Sequence, residues 1–140
     1  MGIALHNPLT GETIVFRGNT GDTLQFDLEL RPLGAPGGVV HRHGVSEHID
    51  VRSGELLALV QGRLPRRMRA GDALLVPGNT WHMLLALRRS SARVTVRPAM
   101  RFAEVLRCFA AVGSGDVRPQ TLRRLNALLR EHGCVPRLPT

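Results

Sequence analysis

The sequence predicts a mainly β protein, a barrel or sandwich of short strands capped by two α-helices at its C-terminal end. Three observations carry this expectation. Residues 24–30 alternate apolar and polar side chains with period two. Turns containing glycine or proline recur between short apolar runs. From Pro98 onward the apolar spacing changes from that of a strand to that of a helix.

In chain order, Asn7-Pro8-Leu9-Thr10-Gly11 reads as a turn leading into a short strand over 12–17, and 18–21 reads as a second turn. Leu24, Phe26, Leu28 and Leu30 then alternate with Gln25, Asp27, Glu29 and Arg31, which makes a half-buried strand with one wet face. Residues 32–38 form a loop rich in Pro and Gly. The next strand carries Val39, His41 and His43 on one face. After Gly44, the residues Glu47, Ile49 and Val51 share a face, and His48, Asp50 and Arg52 take the other. Ser53-Gly54 turns the chain, and 56–60 is apolar on both faces, as in a strand covered on both sides.

Residues 63–69 read as a polar strand, Gly71-Asp72 as a turn and 73–76 as a short apolar strand. Pro77-Gly78-Asn79 is a further turn. His82, Leu84 and Ala86 share one face of the strand that follows, and Met83, Leu85 and Leu87 the other. Val94 and Val96 alternate with Arg93, Thr95 and Arg97 in the last strand. Phe102, Val105, Leu106 and Phe109 fall at helical spacing, with Arg101, Glu104 and Arg107 opposite, and Gly113-Ser114-Gly115 breaks this helix. Pro119 suits the first turn of a second helix. Its apolar stripe is Leu122, Leu125, Leu128 and Leu129, and Gly133 ends it. The tail from Val135 is short and Pro-rich. The 140 residues are expected to form one domain, with the barrel over about 10–98 and a helical extension over about 99–134.

Composition narrows the chemistry. The net charge is +8, and all nineteen basic residues are arginine. Without lysine there is no Schiff base, and without tyrosine no phenolic acid or oxyanion donor. The arginines are scattered, so coding bias explains them better than a nucleic-acid surface. No apolar run is long enough to span a bilayer. The N-terminus lacks a basic lead-in and a long apolar segment, and two cysteines are too few for a disulfide framework. A cytoplasmic location is the expectation.

The chemistry-bearing residues cluster in two stretches. His41, His43 and Glu47 stand in the first, and His82 ends the second. Three neutral imidazoles and one carboxylate suit one borderline divalent ion. Glu47 points the way Ile49 and Val51 point, into a core, where an unpaired carboxylate would be costly. On an octahedral metal these ligands leave two positions, enough for a bidentate substrate or for substrate and dioxygen.

The spacing His41-x-His43-x3-Glu47 with a following Gly54, and Gly71-x5-Pro77-x-Asn79-x2-His82, resembles the two motifs of the cupin superfamily. The first matches in every defining position. The second has Asn79 where glycine is usual and Ala86 where an asparagine often closes the motif. The opening NPLTGETIVFR and the segment VRPAMRFAEVL look like small bacterial single-domain cupins with a helical C-terminus. The resemblance implies an RmlC-like double-stranded β-helix, or jelly-roll barrel, holding one metal on His41, His43, Glu47 and His82. Iron, manganese, nickel, zinc and copper all occur in the family. It also implies a small-molecule substrate or ligand and a homodimer, with the 56–60 strand suited to an interface or to the second sheet. Oxygenase, isomerase and cyclase activities are all open, as are a non-enzymatic binding or sensing role and a metal-independent cyclase that works by barrel shape.

No catalytic residue beyond the metal set is readable. His48 lies opposite Glu47 and reads as a surface histidine, and His6, His132 and Asp50 read as solvated. Trp81 faces away from the metal by parity, and Cys108 reads as a small buried hydrophobe. Ser114 lacks the strand-to-helix setting of a nucleophile elbow. Phe26 and Leu28 face inward, as pocket lining or as core packing.

Overall fold

The computed structural model describes residues 3–38 and 40–136. Two antiparallel sheets face one another as a jelly roll. One has six strands: β1 (Ala4–Asn7), β2 (Glu12–Thr20), β3 (Thr23–Leu30), β10 (Ser90–Arg97), β5 (Ser46–Ser53) and β8 (Ala73–Val76), neighbours in that order. The other has five, ordered β11 (Val135–Pro136), β4 (His41–Arg42), β9 (His82–Ala86), β6 (Glu55–Val60) and β7 (Arg66–Arg69). Helices α1 (Phe102–Gly113) and α2 (Pro119–Glu131) follow the barrel and pack on each other, and α1 also packs on β1. Among the described residues, no helix is long and apolar enough to cross a membrane.

The alternation read from the sequence sets which side chains enter the core. Leu24, Phe26, Leu28 and Leu30 are buried along β3, Ile49 and Val51 along β5, and Val94 and Val96 along β10. The facing sheet contributes Leu56, Ala58, Leu84 and Ala86. The outer-face residues Leu57, Leu59, Met83 and Leu85 are half-buried, and pairing sets Leu57 against Leu85 and Leu59 against Met83.

Four expectations change. The turn placed at 18–21 is shorter, because β2 runs on to Thr20 through a bulge between Phe16 and Gly18, and Gly21, at φ 58°, makes the hairpin turn. The polar strand 63–69 narrows to β7, where Met68 is fully buried against β6. The strand expected to carry Val39, His41 and His43 narrows to His41–Arg42, and Val39 lies outside the described residues. After Arg42 the backbone leaves the ladder: the His43 carbonyl accepts from Asn79 N–H (2.7 Å) and Gly44 N–H donates to the His132 carbonyl (2.7 Å).

The fourth correction is His132, read as solvated but only 2% exposed. Its Nδ1 lies 2.9 Å from the Leu128 carbonyl, and its Nε2 accepts the Arg101 backbone N–H at 3.0 Å. Arg101 stands at the N-cap of α1 with no side-chain cap bond, so an imidazole from the end of α2 takes one of the orphan donors there. Alternation and helical spacing cannot reveal this, since it depends on where two helices dock.

Replacing His132 with Phe strands the Arg101 N–H and should cost about 1–3 kcal/mol. Equilibrium unfolding would show this as a lowered midpoint. His6→Ala, at an exposed position, should stay within about 0.5 kcal/mol of wild type.

Candidate metal centre

His41 reaches the site from β4, His82 from the first position of β9, and the two are directly paired across the sheet. His43 comes from the segment beyond β4, and Glu47 from β5. Small residues make this convergence possible. A Cβ on Gly78 would sit 2.5 Å from the Gly44 carbonyl oxygen, so glycine lets the two histidine-bearing segments meet backbone to backbone. Asn79 adopts φ 59°, the left-handed region that glycine and asparagine accept most readily, and its N–H holds the His43 carbonyl. The asparagine that departs from the motif therefore meets the same backbone demand. Gly37 leaves room for the His41 ring, since a Cβ there would lie 2.7 Å from His41 Cε1.

One ligand atom from each of His41, His43 and His82 lies within 4.8 Å of the others, a group that could hold a metal ion. His43 Nδ1 is 2.9 Å from the Val45 carbonyl and His82 Nδ1 is 2.8 Å from the Thr80 carbonyl. Each ring thus spends Nδ1–H on backbone and turns Nε2 inward, the outer-shell arrangement of metal-binding histidines. His43 Nε2 lies 2.8 Å from Glu47 Oε1 but lacks the alignment of a hydrogen bond. A buried ring nitrogen with a carboxylate beside it, and no well-aligned partner, fits a cation between them.

Electrostatics couples these groups. Burial alone would raise the Glu47 carboxyl, but contact with His43 and the charges of His43, His82 and His41 pull it down to about 2. Burial disfavours the charged His43 ring, and Glu47 overrides this to raise its pKa. Each thus favours the charged form of the other.

The site opens on a cavity of about 300 Å³ whose walls are mostly carbon. Phe26 and Leu28 line it and also belong to the buried core, so both roles hold. Phe102, Val105 and Phe109 of α1 line it too, and so does Cys134 after α2. The helical segment is therefore part of the pocket wall. Phe102 stands edge-on between His43 (5.5 Å between ring centres) and His132 (5.9 Å). Burial and the Glu47 charge push the Cys134 thiol up to about 11, which keeps it protonated.

Other singled-out residues stand apart. His48 is exposed beside Asp50, and Trp81 lies outside the cavity under the Arg42 guanidinium (4.9 Å). Cys108 is buried, as read, and Ser114 bonds the His6 carbonyl. One charged residue of the cavity escaped sequence reading: Glu12, 4% exposed. It sits at a strand start beside a turn, where a carboxylate is ordinarily wet.

Residues 28–96 match the family model of the cupin domain. No curated protein has a detectably similar sequence. Among solved structures, it is similar to an RmlC-like cupin from Shewanella frigidimarina (22% identity, TM-score 0.62, covering 67% of this chain and 82% of that one). KdgF from Halomonas sp. aligns at 23% identity and TM-score 0.58, covering 63% and 81%. A sugar phosphate isomerase of the cupin superfamily from Silicibacter pomeroyi aligns at 16% identity and TM-score 0.56, covering 64% and 60%. At these identities the likeness is one of fold.

The Glu47–His43 pair sets a pH window for the metal-free protein. The lowered carboxyl contributes stability that is complete above its ordinary value of 4.5 and lost as pH falls toward 2. The raised imidazole contributes stability that is complete below its ordinary 6.5 and lost as pH rises through its higher native value. Unfolding midpoints of chelator-treated wild type should therefore peak between these limits relative to His43→Gln, and a difference independent of pH would refute the pairing.

Proposed function

We propose that this protein is a metal-dependent enzyme acting on a small organic molecule, by oxygenase, isomerase or cyclase chemistry. His41, His43, Glu47 and His82 would hold one divalent ion, with iron, manganese, nickel and zinc all compatible with the donor set. The observation that carries this reading is the convergence of three imidazoles, two of which (His41 and His43) line an apolar cavity together with the carboxylate beside His43. A metal there would polarise a carbonyl or lower the pKa of bound water. The chain supplies the rest. Phe26, Leu28 and Phe102 exclude water and hold an apolar body, and the backbone bonds at Val45 and Thr80 fix His43 and His82.

A second reading is a cupin that binds or cyclises a ligand by cavity shape, with metal incidental. The close Glu47–His43 contact favours it, since the polar cluster is partly satisfied without an ion. Activity that survives chelation would separate the two. We also infer a homodimer through the outer face of β6 and β9, where Leu57, Leu59, Met83 and Leu85 make a continuous apolar strip.

Elemental analysis of anaerobically purified protein should find close to one metal per chain in wild type, and His82→Ala and Glu47→Ala should lose most of it. Full occupancy in both variants would overturn the assignment. Sedimentation should give a dimer that Leu59→Arg converts to monomer, and a monomeric wild type would refute the interface.

A further inference from the structure

Glu12 is the carboxylate that the metal set does not use. It opens β2, paired with Leu30 on β3 and Asn7 on β1, and its side chain turns inward with that of Ile14. Thr10 Oγ1 donates to Glu12 Oε1 at 2.9 Å, and the Gly37 backbone N–H also donates to the carboxyl. A carboxyl group offers about four acceptor positions, so capacity remains on the side that faces the cavity.

Its place differs from that of Glu47. Following the ladders, the row of Glu12 crosses β10 at Ser90, and the row of Glu47 meets β10 at Val96, near opposite ends of that strand. Between the two carboxylates the wall is hydrocarbon, including Phe26, Leu28 and Val94. Burial, helped by the Glu47 charge, raises the Glu12 pKa against the bonds from Thr10 and Gly37. A turn residue that served only to tie Thr10 to Gly37 would have no need to face the pocket.

We propose that Glu12 is a ligand-binding residue: the cavity takes a molecule with an oxygen-bearing end on the histidine cluster, an apolar body, and a separate hydroxyl or carbonyl group hydrogen-bonded to Glu12. This rests on the metal-site reading and deepens it, because it defines the ligand as polar at two points. Purely aliphatic or aromatic chelators would leave Glu12 without its partner and should bind less well.

The test uses the full chain loaded with cobalt(II) and titrated with hydroxamates, followed by the change in the metal's visible absorption. The probes are acetohydroxamate, benzohydroxamate and the three ring-hydroxylated benzohydroxamates. At least one hydroxylated isomer should bind wild type about tenfold tighter than benzohydroxamate, the worth of one well-placed buried hydrogen bond. Glu12→Leu should abolish that preference and leave acetohydroxamate within about twofold, while Glu12→Gln, which keeps a donor and an acceptor, should retain part of it. A preference that survives Glu12→Leu, or one absent from wild type, overturns the proposal. Equal weakening of all probes, acetohydroxamate included, overturns it in favour of a structural tie. Should Glu12→Leu fail to fold, the same comparison in Glu12→Gln decides, since an unchanged preference order and strength there also refutes the contact. Failure of wild type to take up cobalt, or cobalt that ignores acetohydroxamate, would overturn the metal-site reading and is seen before Glu12 is altered.

Discussion

A carboxylate that points into a hydrocarbon core must be matched by positive charge, and Glu47 points there. Strand β5 runs in unbroken register with β8 from Glu47 to Asp50, so Glu47 enters the interior on the same face as Ile49 and Val51. Burial by itself would favour its neutral form. Histidine is the side chain that can answer this demand from inside a barrel, because it carries charge conditionally and offers a lone pair to a metal when neutral. The fold brings three of them to one point, with His43 Nε2 at 2.8 Å from the carboxylate.

Holding those rings costs regular structure nearby. The backbone around His43 gives up strand pairing and is tied instead to Asn79 on one side and to His132 on the other. The second tie matters because His132 also receives the first N–H of α1, and Phe102 of that helix lies between the His132 and His43 rings. One buried histidine therefore joins the end of α2, the start of α1 and the histidine-bearing loop. The helices contribute to the site as the barrel does, since Phe102 and Phe109 of α1 and Leu129 of α2 line its cavity.

The pocket itself is unusual in its division of labour. Its few polar groups, Glu12, His41, His43 and Glu47, are set in a wall that is mostly carbon. Gly37 shows how tightly this is arranged. It leaves room for the His41 ring, adopts φ 75°, and donates its backbone N–H to Glu12. A side chain there would disturb the metal-facing and the Glu12-facing parts of the cavity together. The Pro- and Gly-rich loop is thus a wall of the site, and its glycine content follows from close approach to two polar groups.

The sequence by itself determined what travels along one strand. Period-two alternation placed Leu24 to Leu30, Glu47 to Val51 and His82 to Ala86 on their faces, because that period is a property of extended backbone and needs no partner. Helical spacing located α1 and α2 for the same reason, and the spacing of His41, His43, Glu47 and His82 pointed to a common centre. Tertiary structure alone decided what depends on closure. The ligand atoms come within 4.8 Å only when two sheets meet, and the short β4 reflects a loop drawn off its ladder by Asn79 and His132. His132 reads as solvated and Glu12 carries no signal in the sequence, yet both are buried, because the helix docking and the cavity wall that enclose them are set by the packed chain. Local pattern reports which way a side chain points, and only the packed chain reports what it meets there.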